Sequence, residues 1–124
     1  MDGKKLGDLE IYKIAVELAG LAWQVFDILP YQYKFHIGAQ FLDAVDSVGA
    51  NIAEGFGRYH YKDSLKFYYY SRGSLHESKH WIYLLKTRNL VTPVLYEMIL
   101  KSLRSEGVKL NNFINSIKDK INSE

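Results

Sequence analysis

The stretch from Ile37 to Arg58 reads IGAQFLDAVDSVGANIAEGFGR and decides the fold of the chain. Its large apolar residues recur at spacings of three or four, which keeps one side of an α-helix buried over about five turns. They are Ile37, Phe41, Val45, Val48, Ile52 and Phe56. Gly55 and Gly57 weaken the helix near its C-terminal end, since a glycine costs about 1 kcal/mol relative to alanine within a helix. The stretch therefore predicts one amphipathic helix.

Three other segments show the same helical periodicity, and residues at their ends set their limits. Asp8 is the predicted N-cap of the first helix, and Pro30 ends that helix because its ring excludes a continuing helical hydrogen bond. Asp63 suits the first turn of the third helix, where a carboxylate is stabilised by the helix dipole. Thr92 and Pro93 begin the fourth, with a capping hydroxyl followed by a proline where no N–H is needed. The four predicted helices span about residues 8–29, 34–57, 62–88 and 93–122.

Length and composition indicate a single all-α domain. The 124 residues allow one domain with one core, and a hydrophobic content of 48% is ordinary for a globular protein. The connections between the helices are short, which favours antiparallel neighbours. We therefore predict an antiparallel up-down four-helix bundle that covers residues 1–124.

The residue types also limit the chemistry and the location of the protein. The sequence contains no cysteine, which excludes disulfide bonds, thiol catalysis and metal clusters bound by cysteine. No apolar run has the length of a signal-peptide core or of a bilayer span. The spacing of residues yields no paired-carboxylate site, phosphate-binding loop or nucleophile triad. We expect a cytoplasmic protein with no catalytic residues, no cofactor and no membrane partner.

The formal net charge of +2 conceals an uneven distribution along the chain. Residues 8–29 carry four acidic side chains and one basic one, whereas residues 58–89 carry seven basic and two acidic ones. The basic segment also interleaves its cations with tyrosines. Cations attract phosphates and tyrosines stack on unpaired bases, so this segment is the candidate nucleic-acid surface. Its predicted residues are Arg58, Tyr59, Tyr61, Lys62, Lys66 and Arg72.

The aromatic residues also permit a second interpretation, in which they pack inside the molecule or between subunits. Consecutive helical residues point about 100 degrees apart, so Tyr68, Tyr69 and Tyr70 cannot share one surface. The first three helices carry further large apolar residues beside their main stripes, although a monomeric bundle needs only one stripe per helix. These residues are Trp23, Phe26, Phe35, Leu42, Phe67 and Trp81. We therefore predict a homo-oligomer.

Residues 76–80 read HESKH and match the HExxH pattern of zinc peptidases. Histidines four residues apart face the same side of a helix, and the glutamate between them would polarise a zinc-bound water. Lys79 argues against a catalytic site, because the inner pair of such a motif normally packs inside the protein. The other interpretation is a solvated helix surface on which His76 and His80 bind metal only incidentally.

The segment Asn51–Arg58, NIAEGFGR, combines features that suit the end of a helix. Glu54 and Arg58 stand four residues apart with the acid first, which is the better orientation for a helical ion pair. Gly55 allows a neighbouring helix to approach closely, and Asn51 lies on the same side, where its amide can bridge to that helix. We interpret the segment as a lock between the second and third helices, and a ligand site is the alternative.

The same segment resembles the signature of the four-helix bundle proteins encoded in bacterial 23S rRNA intervening sequences. Leu9–Lys13, LEIYK, is similar to the family's opening DLEVYK segment. Ser74, within the sequence GSL, and Glu77 are similar to its third-helix GSLxE element. The similarity covers almost the whole chain, in the same order and at the same separations. The sequence is identified as a member of this family.

The resemblance implies a left-handed up-down bundle, usually assembled as a homopentameric ring, with no established enzymatic activity. A related bundle is the accessory variability protein of diversity-generating retroelements, a basic pentamer that associates with a reverse transcriptase and nucleic acid. This chain departs from the pattern in its tyrosine-rich third helix and its modest net charge.

Three functions follow from these observations. The first is a non-enzymatic homo-oligomer, a pentamer by resemblance, whose basic and tyrosine-bearing surface binds structured RNA or a nucleoprotein partner. The second is a structural scaffold for protein–protein contacts, in which the basic segment is a solvated surface. The third is a zinc-dependent hydrolase, which rests on the match at residues 76–80 alone.

Overall fold

Four long helices dominate the computed structural model, which describes residues 3–124. The helices are α1 (Glu10–Ile28), α2 (Ala39–Phe56), α3 (Tyr61–Thr87) and α4 (Pro93–Asn122). A 3-10 turn (Leu6–Asp8) precedes α1, and a helical turn (Tyr31–Tyr33) followed by a π-helical turn (Lys34–Gly38) leads into α2.

Successive helices pack side by side across short connections, and α1 also packs against α4. The order around the bundle is therefore α1, α2, α3, α4, with each helix antiparallel to its neighbours. The predicted all-α four-helix bundle is confirmed, and residues 3–124 contain no strand. None of the helices in this range is both long enough and apolar enough to cross a bilayer.

The start of α1 differs from the prediction. Leu9, not Asp8, occupies the N-cap position, so the prediction for Asp8 is wrong. The Asp8 carboxylate instead accepts the backbone N–H of Lys5 at 2.9 Å and closes the preceding 3-10 turn. Leu9 is buried at the end of the core. Because burial of Leu9 fixes where α1 begins, Asp8 lies one position too early to cap it.

The second helical region begins at Tyr31, earlier than predicted. Pro30 is the N-cap of the short helical turn, and its carbonyl accepts the N–H of Tyr33 at 2.9 Å. Tyr31–Tyr33 is exposed, so it contributes no apolar periodicity from which a helix could be predicted. Phe35 then departs from helical geometry, with φ −93° and ψ 18°, before Ile37 enters the core.

The predicted start of the fourth helix is confirmed. The Thr92 hydroxyl accepts the N–H of Leu95 at 3.2 Å, and Pro93 occupies the first turn. The turn before it depends on Asn89, whose φ of 57° lies in the left-handed region that asparagine tolerates better than most residues. Asn89 therefore ends α3 and allows the chain to reverse into α4.

The core lies between the four helices and is filled mainly by aliphatic side chains. The apolar stripe predicted on the second helix is buried, apart from Phe56, which is half-buried. Ile11 on α1 and both Tyr96 and Ile114 on α4 are also buried. A helix that faces a bundle core buries a stripe wider than one residue per turn.

Gly55 and Tyr68 bring α2 and α3 close together. The Tyr68 ring is fully buried against Gly55, where an added Cβ would lie 2.6 Å from the ring Cε1. Phe113 on α4 packs edge-on against the same ring, with centroids 5.0 Å apart. The buried Ser71 hydroxyl donates a 2.8 Å hydrogen bond to the Val48 carbonyl of α2. The space that Gly55 leaves open is thus filled by the Tyr68 ring, whereas Ser71 hydrogen-bonds directly to the backbone of α2.

Glu106 on α4 is a buried carboxyl group in a core that is filled mainly by aliphatic side chains. Its side chain is fully buried, and neither oxygen has a hydrogen-bond partner within residues 3–124. Burial, reinforced by the Glu10 carboxylate and opposed by Lys109, raises the pKa of Glu106 to about 8. An unpaired charge is costly in such a site, so the carboxyl stays protonated until the pH approaches this value.

We expect Gly55→Ala to destabilise the bundle by up to about 2 kcal/mol. The new methyl group overlaps the Tyr68 ring, and overpacking of this kind costs typically about 1–3 kcal/mol, from which a gain of about 1 kcal/mol in helix propensity is subtracted. Gly20→Ala is the matched control, because nothing lies within 4 Å of its added Cβ, and it should be neutral or stabilising. Urea unfolding followed by far-UV circular dichroism measures both. Equal effects of the two substitutions would contradict this packing role for Gly55.

Glu106 should also make stability depend on pH. The folded-state pKa of about 8 exceeds the ordinary value of 4.5, so the folded protein binds more protons between these values. Its contribution to stability is therefore complete below the lower value and is lost as the pH rises through this window, by up to about 1.4 kcal/mol per pH unit. We expect wild type to lose stability relative to Glu106→Gln across this window. The free energy of unfolding is measured by urea at each pH. If it changes with pH in the same way for both proteins, the Glu106 carboxyl is not the cause of the pH dependence.

Candidate nucleic-acid interface

The ion pair predicted within the signature segment is present. Arg58 Nη2 lies 2.6 Å from Glu54 Oε1, at the C-terminal end of α2. The Arg58 guanidinium also lies over the Phe67 ring of α3, 4.6 Å from its centroid. Both charged groups are largely exposed, so the pair contributes little to stability, typically about 0.3–0.5 kcal/mol. Its main structural effect is to hold Arg58 against α3.

Asn51 does not bridge α2 to a neighbouring helix, so that part of the prediction is wrong. Its side-chain amide donates a 2.9 Å hydrogen bond to the Ser47 carbonyl, one turn earlier in the same helix. The contacts with α3 are made instead by Gly55, against the Tyr68 ring, and by the Val48 carbonyl, which accepts the Ser71 hydroxyl. The contacts made by the signature segment are those of a packed helix end.

The six residues predicted as a nucleic-acid surface do not form one group. Arg58 and Lys66 both lie over Phe67, on the side of α3 nearer α2. Arg72 lies on the side nearer α4. Lys62 is exposed on α3, and Tyr59 lies in the connection before it with 94% of its surface exposed.

The side of α3 that meets α4 gathers cations onto tyrosine rings. Arg72 lies 4.8 Å from the centroid of Tyr69, and Lys118 of α4 lies 5.5 Å from the same ring. Lys120 of α4 lies 5.3 Å from the centroid of Tyr61. These five residues, Tyr61, Tyr69, Arg72, Lys118 and Lys120, are called the α3–α4 face below. Cations over aromatic rings are held in place while their outer surfaces stay available to a ligand.

Lys118 and Lys120 were missed by the sequence analysis. They lie far from the basic segment in sequence, and they reach it because the end of α4 runs antiparallel beside the start of α3. The only signal in the sequence is indirect: in an antiparallel pair, the last turns of one helix flank the first turns of the other. That signal identifies neighbouring turns but not which side chains meet.

The residues of the HExxH match are arranged for contacts within α3. Glu77 accepts a hydrogen bond from the Trp81 indole N–H at 3.1 Å, and the His80 ring packs edge-on against Trp81. His76 and His80 are exposed. Within residues 3–124, no three His, Asp or Glu side chains lie close enough together to hold a metal ion.

The Ser74 and Glu77 element also has a structural explanation. Glu77 orients Trp81, as described above, and the Ser74 carbonyl accepts the buried Ser78 hydroxyl at 2.8 Å. Ser78 is one of three buried serines on α3, together with Ser64 and Ser71. The three serines form a small, polar side of α3 that faces the interior of the bundle.

A second exposed surface lies on the opposite side of the bundle, where α1 meets the entry to α2. Trp23 stacks on Phe26 with centroids 5.7 Å apart, and Phe26 meets Phe35 edge-on at 6.3 Å. Tyr31 in turn packs edge-on against Phe35 at 5.5 Å. Trp23 is 56% exposed and Phe35 is 70% exposed. These four residues are called the aromatic cluster below.

Two comparisons with known proteins agree with the fold. The family model described as 23S rRNA-intervening sequence protein matches residues 7–112. A crystal structure of a protein of unknown function from the S23 ribosomal protein family of Bacteroides thetaiotaomicron matches with a TM-score of 0.79 and 23% sequence identity, over 85% of this chain and 95% of that chain. Curated proteins give no significant match. Because the family model spans most of the sequence, the chain belongs to the 23S rRNA-intervening sequence protein family.

Proposed function

We propose that the protein is a non-enzymatic, homo-oligomeric binding module of the cytoplasm, whose α3–α4 face binds structured RNA. The observation that carries the proposal is the arrangement of this face: three cations from two helices lie against two tyrosine rings. The five residues of the face include no acidic side chain.

The chemistry of such a face suits a phosphodiester backbone. Lysine and arginine displace counterions from phosphates, which supplies affinity that does not depend on sequence. Tyrosine rings add stacking to unpaired bases in loops and bulges of RNA. A nucleoprotein partner that presents RNA would engage the face in the same way.

Self-association is the second part of the proposal, and the aromatic cluster supports it. Phe67 and Trp81, which the sequence analysis grouped with these residues, have partners within the molecule, namely the cations over Phe67 and the Glu77 carboxylate. The aromatic cluster instead exposes most of Phe35 and Tyr31. Clustered, exposed aromatic residues are typical of protein–protein contacts. We propose that the assembly is a homopentamer.

A structural scaffold without RNA binding is the alternative. The aromatic cluster supports a scaffold as well as it supports an RNA-binding oligomer. The cluster can mediate protein–protein contact whether or not the α3–α4 face binds RNA. The two functions differ in one respect: a scaffold leaves the cations of the α3–α4 face solvated, and their removal would change no binding property.

The RNA proposal predicts a steep and site-dependent salt effect. A fluorescein-labelled RNA stem-loop should bind more weakly as the NaCl concentration rises, as measured by fluorescence anisotropy. Arg72→Gln with Lys118→Gln should weaken binding and lower the slope of log Kd against log salt by about 0.7 to 0.9 per phosphate contact removed. Lys5→Gln with Lys13→Gln removes the same charge from exposed positions outside the face and should leave the slope unchanged. Absent binding, or equal effects of the two double variants, would contradict the proposal.

Self-association predicts a mass of about five times the monomer mass of 14.4 kDa in size-exclusion chromatography with light scattering. Trp23→Gln with Phe35→Gln should shift the protein towards monomer, because it removes the exposed centre of the aromatic cluster. Tyr70→Gln with Tyr83→Gln is the matched control, since these α3 rings are 53% and 54% exposed and lie outside the cluster. A monomeric wild-type protein would refute the assembly, and dissociation by the control variant alone would refute the choice of surface.

A further inference from the structure

A groove between α3 and α4 lies next to the α3–α4 face, about 290 Å³ in volume. The residues that give it its chemistry are Arg72, His76 and Lys79 from α3, and Arg104, Gly107 and Asn111 from α4. Arg72 belongs to both the face and the groove, so the two are continuous. Its guanidinium donates to the Asn111 side-chain oxygen at 3.3 Å, across the mouth of the groove.

The formally charged side chains that line the groove are all positive. Arg72, Lys79 and Arg104 line it, and no aspartate or glutamate does. Three other grooves on the described surface each include an acid: one contains Glu97, another Asp8 and Glu10, and a third Asp46.

The groove cations are also without carboxylate partners among residues 3–124. The ion pairs in this range join Glu54 to Arg58 and Glu10 to Lys109, and neither pair includes a residue of the groove. Three cations that converge without a counter-charge repel one another, and a bound anion relieves that repulsion.

Gly107 gives the groove its floor, and packing does not explain why a glycine stands there. A Cβ added at Gly107 would lie 3.5 Å from Leu75 Cδ2 and 3.8 Å from Lys79 Nζ, both of which are ordinary contacts. Glycine lowers helix stability relative to alanine, and Gly107 lies in the middle of α4. Its absent side chain leaves open the position beneath the Lys79 ammonium.

We propose that this groove is a phosphate-binding site, which takes one or two linked phosphate groups of a phosphate ester. Its volume is close to the lower end of small-ligand pockets, which suits a compact anion. Arginines bind phosphate oxygens in pairs, lysine supplies a compact charge, and the Asn111 amide and His76 imidazole add hydrogen-bonding groups at the rim. Leu75 and Val108 form the apolar part of the wall.

The phosphate can come from the RNA backbone or from a free phosphate ester, and both offer the same chemistry. The choice of RNA as the source rests on the proposed function. The proposal of a phosphate site in the groove does not rest on the proposed function. The groove's cations and its floor at Gly107 suit a phosphate group from either source.

Inorganic pyrophosphate is the first probe, added to the ¹⁵N-labelled full chain at constant ionic strength balanced with NaCl. We expect saturable shifts at the backbone amides of Gly107 and Asn111 in heteronuclear NMR spectra. Lys79→Gln with Arg104→Gln should weaken this binding by about tenfold or more, as expected when charge-assisted hydrogen bonds are lost. Lys5→Gln with Lys13→Gln is the control and should bind as wild type does. The same spectra report whether each variant is folded.

The RNA stem-loop is the second probe, and it separates the two sources of phosphate. Weaker RNA binding by the Lys79 and Arg104 variant, with competition by pyrophosphate, supports an RNA phosphate in the groove. Pyrophosphate binding without RNA binding supports the phosphate site in the groove and contradicts the proposed RNA-binding function. The proposed phosphate site is overturned if the Gly107 and Asn111 amides show no saturable shifts. It is also overturned if the variant binds pyrophosphate as tightly as wild type does, even if RNA still binds elsewhere on the α3–α4 face.

Discussion

The contact of Tyr68 with Gly55 sets the geometry on which the rest of the molecule depends. The ring occupies the space that any larger residue at position 55 would fill, so it fixes both the separation of α2 and α3 and the rotation of α3 about its axis. That rotation turns Tyr61, Tyr69 and Arg72 towards α4. The side of α3 that carries Phe67 turns towards Arg58 instead. One packing contact thereby decides which cations of the basic segment act together.

Charge and exposed apolar surface are separated by the order of the helices. The bundle runs α1, α2, α3, α4 around its axis, so the α3–α4 face lies opposite the aromatic cluster, which occupies the edge between α1 and α2. The acidic first helix lies on the cluster side, and the basic third helix lies on the other side. A surface for self-association and a surface for an anionic ligand can therefore be occupied at the same time.

The sequence predicts those features that one helix determines by itself. The start of α4 follows from Thr92 and Pro93, and the core stripe of α2 follows from its spacing. Features that depend on two helices were predicted poorly. Lys118 and Lys120 reach Tyr69 and Tyr61 only through the antiparallel pairing of α3 and α4, and burial of Leu9 displaces the cap expected at Asp8. Glu106 was also missed, because a glutamate within a helical stripe normally indicates the solvated side.

The opposite placement of the two surfaces has a consequence for affinity. In the proposed assembly each copy contributes one α3–α4 face and one groove, and the aromatic clusters are covered by neighbouring copies. A single groove of three cations binds a phosphate weakly at physiological salt, since most of its affinity comes from counterion release. Several grooves held on one rigid assembly convert later contacts with the same RNA into intramolecular ones, which raises the overall affinity without any new contact. A modest net charge of +2 on each chain is then sufficient, because every copy places Arg72, Lys118 and Lys120 on its α3–α4 face and Lys79 and Arg104 in the adjoining groove.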